Sequence, residues 1–563
     1  MEQGGTLKSE NDKGTIITNH DKDKASSNTV TIDANGKNDK VEVTLKDVNI
    51  DASRGSEAAV SVTGKGDTTI ELDGDNELKS GAGHAGLEHN KTDTSGELTI
   101  QDKDNNGSLE AAGGFKGAGI GSAGSNDAQV KITGGNITAT TSDDWGAGIG
   151  SGSYGTGTVE ITGGEINATG GYLGAGIGGG CNGSGNVTIS GGTITAAGSD
   201  GAAGIGGGYY NGATVTITGD AVIKNASSTK YGAGIGGGNG SDGNVTISGN
   251  AKIENATGGY GAAGIGGGAF SSPDKIGNGN VVIKDNAKID NVQGGAYGAG
   301  IGGGIYGLSN VTIEGNTKVN ATGGAGGAAI GGGAGAENNS DNNGNQITIK
   351  SNENGSPTIN AVGGGTDEGE KIVIGGAGIG AGCESDADAD ITLEGKVTIT
   401  ATAGKDNVAI GANGIEQEFS GLAEGSSITR YDSEGNDITL PTDPVPAVPS
   451  SSGGSSADAS VQESVFPGLV VTDKDGQRIS YTSIRDNNVL SLRVGRFTAS
   501  LRASLATLRQ LRAEGIDTIT FQTILCSTTL SVDELLAMGG EDTEVVLTHH
   551  IRSSTLTVGG KAV

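Results

Sequence analysis

Basic and aromatic side chains are scarce over most of this chain of 563 residues. No arginine occurs between Arg54 and Arg430, and no histidine between His89 and His549. Aromatic residues make up 3% of the sequence and hydrophobic residues 33%, which argues against a conventional thick core. Because histidine is the side chain that most often transfers protons in enzymes, its absence also argues against most acid–base catalysis in the central region.

Cysteine and long hydrophobic runs are also lacking. The three cysteines, Cys181, Cys383 and Cys526, lie far apart without a CxxC pair, which argues against a disulfide framework or a zinc site. No run of eighteen apolar residues occurs, so we expect no membrane insertion. We find no signal peptide at Met1 and no wall-sorting motif at Val563, so the mode of surface attachment stays open.

Positive charge is deficient, and the deficit is localised. The formal net charge is -30, yet the residues from 466 onward contain ten basic and ten acidic side chains. The whole acidic excess therefore belongs to the part before residue 466. Its sign repels phosphate backbones and anionic membranes, which argues against nucleic acid as a partner.

Glycine, in contrast, is abundant, and much of it belongs to a repeat. The 110 glycines show no collagen period, but the phrase Gly-Ala-Gly-Ile-Gly recurs from Gly117 onward. Its central isoleucines follow one another at steps of 29, 28, 28, 30 and 30 residues: Ile120, Ile149, Ile177, Ile205, Ile235 and Ile265. Two alternating apolar runs follow each copy, as in residues 187–190 and 193–195, so each period predicts three short strands.

These features predict an all-β, right-handed parallel β-helix, a three-sided solenoid of about twelve coils over residues 28–440. Residues 1–27 are expected to form a disordered or capping arm. The Pro/Ser/Gly-rich residues 441–460 predict a linker. Residues 461–563 predict a small α+β domain, with helix periodicity from Leu501 to Leu511 and a capping box from Ser531 to Glu534.

The few aromatic residues occupy repeated places. Six fall just before the glycine phrase and others four or five residues after its isoleucine, so in register they form two columns that border a flat glycine strand. Such a groove suits sugar rings, which stack on aromatic faces while polar side chains bind their hydroxyls. The alternative is a purely structural aromatic ladder. The predicted carbohydrate-binding residues are Trp145, Tyr154, Tyr172, Tyr209, Tyr231, Tyr260, Tyr297 and Tyr306.

Two acidic segments are candidate calcium sites. Asp102, Asp104 and Asn106 match the first half of a calcium-binding loop, although Gly113 stands where the loop has its last glutamate. A plain Asn-Gly turn is the alternative. Asp386, Asp388 and Asp390 alternate, so in an extended segment their carboxylates would share one face and repel unless a cation lay between them. Calcium is thus a possible cofactor.

Three functions remain open on this fold. A non-catalytic glycan-binding or adhesin-like protein is the preferred interpretation, with a polysaccharide or host glycan as partner. A polysaccharide lyase or glycoside hydrolase is the first alternative, because carboxylate pairs are possible in so acidic a chain. A structural stalk that presents the C-terminal domain to a protein partner is the second. We identify no catalytic residues.

The glycine repeats and phrases such as residues 96–100 and 107–111 resemble those of carbohydrate-binding domain-containing β-helix proteins from anaerobic, often gut-dwelling, Gram-positive bacteria. The resemblance covers residues 28–415. It implies a bacterial protein, secreted or on the cell surface, with a calcium-assisted polysaccharide-binding or adhesin-like role. An acidic plant polysaccharide is one target that the resemblance suggests.

Overall fold

The computed structural model divides the chain into two compact units, residues 1–447 and 448–563. It describes residues 6–8, 13–141, 145–269, 276–337, 344–367, 369, 372–444, 469–472, 478, 481–486, 488–494, 499–523, 527–540, 543–550 and 553–562. Most of the predicted linker, from residue 445 to 460, lies outside these ranges. The described residues contain no helix that is both long and apolar enough to cross a membrane.

The first unit is a parallel β-solenoid of about 15 turns with three sheets. Sheet 1 holds the repeat isoleucines, and most of its strands have two residues. They are Thr6–Lys8, Val30–Ala34, Val60–Gly64, Leu87–Lys91, Ile120–Gly121, Ile149–Gly150, Ile177–Gly178, Ile205–Gly206, Ile235–Gly236, Ile265–Gly266, Ile301–Gly302, Ile330–Gly331, Ile379–Gly380, Ile410–Ala412 and the antiparallel Ile415–Glu416.

Most strands of sheets 2 and 3 are longer and alternate between buried and solvent-facing side chains. Asp67–Lys79 belongs to both sheets. Sheet 2 also contains Lys13–Thr18, Lys40–Lys46, Leu98–Gln101, Asp127–Ile132, Gly157–Ile161, Gly185–Ile189, Ala213–Ile217, Gly243–Ile247, Gly279–Ile283, Ser309–Glu314, Asn345–Lys350 and Ala389–Glu394. Sheet 3 also contains Asn49–Asp51, Gly107–Gly113, Asn136–Thr141, Glu165–Thr169, Thr193–Gly198, Val222–Ser228, Lys252–Ile253, Ala256–Thr257, Lys288–Gln293, Lys318–Thr322, Thr358–Val362, Thr398–Thr402 and Ser427–Tyr431.

Identical apolar residues stack on one another along the solenoid. Val159 pairs with Val187, which pairs in turn with Val215, and Ile161 begins a parallel row in the same way. These side chains are at most 2% exposed and form one continuous core. Since burying one such side chain stabilises a fold by about 1.5–3 kcal/mol, a single coil is too small to be stable, and each coil depends on its neighbours.

The solenoid extends beyond the repeats that are visible in the sequence. Thr6–Lys8 pairs with residues 31–33, and Lys13–Thr18 pairs with Lys40–Lys46. The segment expected to form an arm, residues 1–27, therefore contributes strands to the first coil. The estimate of about twelve coils was too low; among the residues it left out of the solenoid are those of strands Thr6–Lys8 and Lys13–Thr18, which had been assigned to the arm.

The second unit is a small α+β domain. One antiparallel sheet comprises Val470–Thr472, Ala499–Ser504, Glu544–His550, Ser553–Val558 and Lys561–Ala562, and the other sheet comprises Thr482–Asp486, Val489–Arg493, Thr518–Gln522 and Ser527–Ser531. Helix Leu505–Ala513 buries Leu505, Leu508 and Leu511. Helix Val532–Leu536 begins at the predicted cap, where the Ser531 hydroxyl accepts a hydrogen bond from the Glu534 backbone N–H.

Candidate functional site

The glycine phrase folds back on itself in every regular coil. The backbone N–H of its alanine donates to the carbonyl four residues later, as from Ala175 to Gly179 and from Ala233 to Gly237, at 2.9 Å in both cases. The phrase is buried, and neighbouring coils stack backbone on backbone: a Cβ on Gly178 would lie 2.1 Å from the Gly206 carbonyl oxygen. The prediction that a flat glycine strand forms the floor of the groove is therefore wrong, because these glycines are buried and serve coil stacking.

The fold-back brings the turns before and after the phrase together. We call the residues four and five before each repeat isoleucine the leading turn, and those four and five after it the trailing turn. The trailing turn of each coil donates a hydrogen bond to the leading turn of the coil before it, as from Tyr209 N–H to Leu173 O (3.1 Å) and from Ala269 N–H to Tyr231 O (2.7 Å). The two predicted aromatic columns are thus neighbours, and together they form a turn seam along the solenoid.

A groove of about 510 Å³ lies along the turn seam. Five successive coils, those of Ile177, Ile205, Ile235, Ile265 and Ile301, each contribute one tyrosine to it. At about 4.8 Å per coil these residues span ~19 Å. The groove is lined by Tyr172, Leu173, Asp200, Tyr209, Tyr231, Asn239, Tyr260, Ala269, Ile305 and Tyr306.

The tyrosines of this aromatic groove combine exposure with fixed geometry. Tyr172, Tyr260 and Tyr306 are 47%, 41% and 42% exposed. Tyr231 and Tyr306 have left-handed backbone conformations, with φ of 36° and 61°, which turn the chain sharply at the seam. The Tyr231 and Tyr260 rings meet edge to face, with centroids 6.2 Å apart. The rings are thus held by their neighbours while keeping accessible faces.

Tyr209 is a partly buried ring of the groove. Its centroid lies 3.9 Å from that of Tyr210. Burial, together with the hydrogen bond to Tyr210, raises the pKa of the Tyr209 hydroxyl well above its ordinary value. The hydroxyl therefore stays protonated and remains able to donate a hydrogen bond at any physiological pH.

Two polar side chains lie between the rings. Asp200 Oδ2 binds the ammonium of Lys230 at 3.0 Å, while Asp200 Oδ1 is buried without a hydrogen-bond partner among the described residues. Asn239 is 1% exposed, and its Oδ1 likewise has no partner in that part of the chain. Such buried acceptors are uncommon in folded proteins and call for an explanation.

Sequence reasoning did not find Asp200 or Asn239, although a signal for them exists. Asp200 occupies the same leading-turn place as Tyr172 and Tyr260, and Asn239 the same trailing-turn place as Tyr209. Aligning the repeats by their isoleucines would have put both residues among the tyrosines. Their missing hydrogen-bond partners, however, are visible only in coordinates.

Three predicted aromatic residues lie outside the groove lining. Trp145 packs against Phe115 with ring centroids 5.8 Å apart, and the Lys116 ammonium lies 5.2 Å from the Trp145 ring. Tyr154 is 57% exposed on an earlier coil. Tyr297 contacts Tyr260 with centroids 5.7 Å apart and packs on the cluster around Ile372. Phe270, another member of the predicted columns, lies outside the described residues.

The first predicted calcium segment forms a tight turn. Both carboxylate oxygens of Asp102 accept backbone hydrogen bonds, from Asn106 N–H at 3.2 Å and from Gly107 N–H at 2.9 Å. Asn106 also donates to Asp104 at 3.0 Å. The sequence did not indicate Glu71, but its carboxylate approaches the same turn: one oxygen each from Glu71, Asp102 and Asp104 lie within 4.8 Å of one another. The Lys103 ammonium lies 3.4 Å from Glu71 Oε2. The hydrogen bonds within the turn satisfy both carboxylate oxygens of Asp102 without an ion. Calcium binding at this segment stays a prediction.

The second predicted calcium segment remains open to solvent. Asp386, Asp388 and Asp390 are all exposed, and Asp388 accepts a hydrogen bond from Asn413 at 3.2 Å. Within the described ranges, the acidic group that converges closely enough for a metal is the one around Asp102. The structure therefore does not draw these three carboxylates into one ligand set.

Comparison with known proteins supports the fold and leaves the ligand open. No curated protein matches the chain, and no solved structure matches it. Four segments match the model of the β-helix repeat family, namely residues 130–153, 159–181, 187–209 and 245–269. These segments contain the fold-back and much of the turn seam. The chain is therefore a β-helix protein.

Proposed function

We propose that this chain is a secreted or surface-displayed, non-catalytic glycan-binding protein with an adhesin-like role, and that the aromatic groove is its binding site. The observation that carries the proposal is the alignment of one tyrosine from each of five successive coils along one groove. A linear polysaccharide presents a ring at regular intervals, and a stack of coils presents aromatic faces at regular intervals. The two periodic structures are suited to contact over several rings.

The chemistry of the groove favours binding over hydrolysis. Asp200 is the one carboxylate among the described residues that line it, whereas glycoside hydrolysis commonly uses a pair. Asp200 is also held in an ion pair with Lys230. Calcium, if it binds at Asp102 and Asp104, would stabilise a turn on another part of the solenoid. These residues do not line the groove.

The test is retention of the full chain on immobilised polysaccharides, with and without a chelator. Tyr231→Ala combined with Tyr260→Ala is expected to abolish retention while leaving the thermal midpoint nearly unchanged, because both rings are partly exposed. Phe115→Ala is a matched control: Phe115 occupies the same leading-turn place as Tyr260, is also 41% exposed, and lies outside the groove. Retention should survive this change.

Three results would contradict the proposal. If Phe115→Ala lost as much retention as the double variant at Tyr231 and Tyr260, the rings would affect retention through the stability of the fold rather than through contact with the glycan. Release of reducing ends or unsaturated products from a retained polymer would favour a hydrolase or lyase. Retention that survives deletion of residues 1–440 would assign binding to the C-terminal domain and leave the solenoid as a stalk.

A further inference from the structure

The leading turns of the groove alternate between a large side chain and glycine. Four residues before each successive repeat isoleucine the chain has Leu173, Gly201, Tyr231, Gly261 and Tyr297. All five residues have left-handed backbone conformations, with φ between 36° and 96°. The backbone is therefore similar at this place in every coil, whereas the side chain changes. The leading turn thus has a period of two coils.

At the glycines, a side chain from a trailing turn fills the space. A Cβ added to Gly201 would lie 2.5 Å from the Tyr209 ring, and a Cβ added to Gly261 would lie 2.9 Å from the Ala269 methyl group. At the coil between them the leading turn itself supplies a ring, that of Tyr231. At this place the groove lining therefore comes alternately from a trailing turn and from a leading turn.

The orientation of the rings also changes from coil to coil. The Tyr231 and Tyr260 rings, on successive coils, are inclined at 90° to each other, and the Tyr260 and Tyr297 rings at 71°. Because neighbouring rings are nearly perpendicular, an equivalent arrangement can recur only at every second coil. The rings thus have the same two-coil period as the leading turn.

The coils that carry the groove stack without a shift in register. Their repeat isoleucines pair directly with one another: Ile177, Ile205, Ile235, Ile265 and Ile301. The step between the last two is 36 residues rather than 28 or 30, yet their pairing is the same. At about 4.8 Å per coil, the tyrosines therefore follow one line of ~19 Å along the solenoid. A ligand that contacts the whole line must itself be extended.

A β-1,4-linked polysaccharide backbone has the corresponding geometry. It is an extended ribbon in which each pyranose ring is turned over relative to the ring before it, so its structure repeats every two rings. One ring of such a ribbon is about as long as the rise of one coil. Two rings therefore correspond to the two-coil period of the groove. An α-1,4-linked glucan coils instead, so only a short part of it can follow the line of tyrosines.

We infer that the aromatic groove binds a β-1,4-linked polysaccharide as an extended ribbon along the solenoid axis, with about four sugar rings over its ~19 Å. This inference rests on the proposed function, since it specifies the class of glycan that the same groove binds. The backbone linkage, which sets the shape of the polymer, is then what the groove selects.

The test compares oligomers of glucose that differ only in their linkage. The full chain is titrated calorimetrically with cello-oligosaccharides and malto-oligosaccharides of two to six residues, and in parallel with oligomers of β-1,4-linked mannan, xylan and chitin. In the β-1,4-linked series that binds best, the dissociation constant should fall by at least about tenfold from dimer to tetramer, because each added ring gains an aromatic contact. It should change little beyond the tetramer. Malto-oligosaccharides should bind at least about tenfold more weakly at equal length.

Variants at the two ends of the groove test where the ligand lies. Tyr172 and Tyr306, on the first and last of the five coils, are 47% and 42% exposed. Tyr172→Ala combined with Tyr306→Ala should weaken binding of the tetramer by about tenfold and leave binding of the dimer nearly unchanged, because a dimer can remain beside Tyr231 and Tyr260.

Tyr154→Ala is the matched control for these variants. Tyr154 occupies the same place as Tyr306, five residues after its repeat isoleucine, with φ of 67° against 61°. Its ring is 57% exposed and lies outside the groove. Binding of every oligomer should survive this change.

The outcomes separate the two proposals. Equal affinity for malto-oligosaccharides and β-1,4-linked oligomers, affinity that is already complete with a dimer, or equal losses of dimer and tetramer binding in the end variant would overturn the extended ribbon but leave glycan binding intact. Retention only of polysaccharides without a β-1,4-linked backbone would do the same. No retention of any immobilised polysaccharide and no binding of any oligomer would contradict both proposals.

Discussion

Arg430 and Asp443 form a fully buried, two-point ion pair at the C-terminal end of the solenoid. Arg430 Nε lies 2.6 Å from Asp443 Oδ2 and Arg430 Nη2 lies 2.9 Å from Asp443 Oδ1, with neither side chain exposed. Glu416 binds the same guanidinium at 2.6 Å. Arg430 pairs with the buried Ala401 on the neighbouring strand of sheet 3. A charged side chain therefore occupies the place of a core residue and ends the apolar column.

Breaking this pair should destabilise the end of the solenoid. We expect Asp443→Ala to lower the free energy of unfolding by about 3–5 kcal/mol, because a buried guanidinium then loses its principal counter-charge. Chemical denaturation followed by circular dichroism measures the change. Asp73→Ala, which breaks the exposed pair with Lys46, is the control and should have little effect. If Asp443→Ala and Asp73→Ala lowered the free energy of unfolding equally, the buried Arg430–Asp443 pair would not be what stabilises the C-terminal end of the solenoid.

The strands of sheets 2 and 3 could be predicted from sequence because their side chains alternate. In residues 187–189, for example, valine and isoleucine flank a threonine, and the structure buries the two apolar residues. The phrase around Ile177 could not be predicted in the same way. Glycine has no side chain to alternate, and the fold-back depends on hydrogen bonds and on the close approach of neighbouring coils.

The candidate site was predictable only in part. The positions of the tyrosines in the repeat placed Tyr172, Tyr231 and Tyr260 near one another, because a constant repeat length puts equivalent residues on adjacent coils. Whether these rings line a groove or pack elsewhere depends on the turn conformations. That Asp200 and Asn239 each have a buried oxygen without a partner among the described residues becomes visible only when buried oxygens are matched with donors in the coordinates.

The stacking glycines should tolerate no side chain. A Cβ on Gly236 would lie 2.1 Å from the Gly266 carbonyl oxygen, and the φ of Gly236 is 137°. The atoms that the new Cβ would meet belong to the backbone of the next coil, which cannot move aside as a flexible side chain could. We therefore expect Gly236→Ala to destabilise the solenoid by at least about 3 kcal/mol. Gly365→Ala is the control, because nothing lies within 4 Å of its added Cβ. Denaturant midpoints of the two variants should therefore differ widely; similar midpoints would contradict the stacking role.

Acidification should weaken the fold through His89. The ring is 3% exposed, and burial lowers its pKa below the ordinary value of 6.5, with a smaller contribution from Lys91. The unfolded chain then binds a proton more readily than the folded chain. Stability from the neutral ring is complete above about pH 6.5 and falls as the pH drops below it.

The His89→Gln variant tests this pH dependence. Urea midpoints measured between pH 7.5 and pH 5, above the range in which most carboxylates titrate, should fall less steeply for the variant than for the original chain. If the urea midpoints of the variant and the original chain fell equally steeply with decreasing pH, His89 would make no contribution to the pH dependence of stability.

The two described cysteines should be unreactive while the chain is folded. Cys181 and Cys383 both occupy the trailing turn, four residues after Ile177 and Ile379, and are 3% and 5% exposed. Burial raises the pKa of each thiol to about 11, so almost no thiolate is present at pH 8. In a Cys526→Ser variant, which leaves only these two, iodoacetamide at pH 8 should label neither thiol until denaturant is added. Rapid labelling of the native chain would mean that the turn seam opens readily, and the tyrosines fixed by the same seam would then not form a preorganised groove.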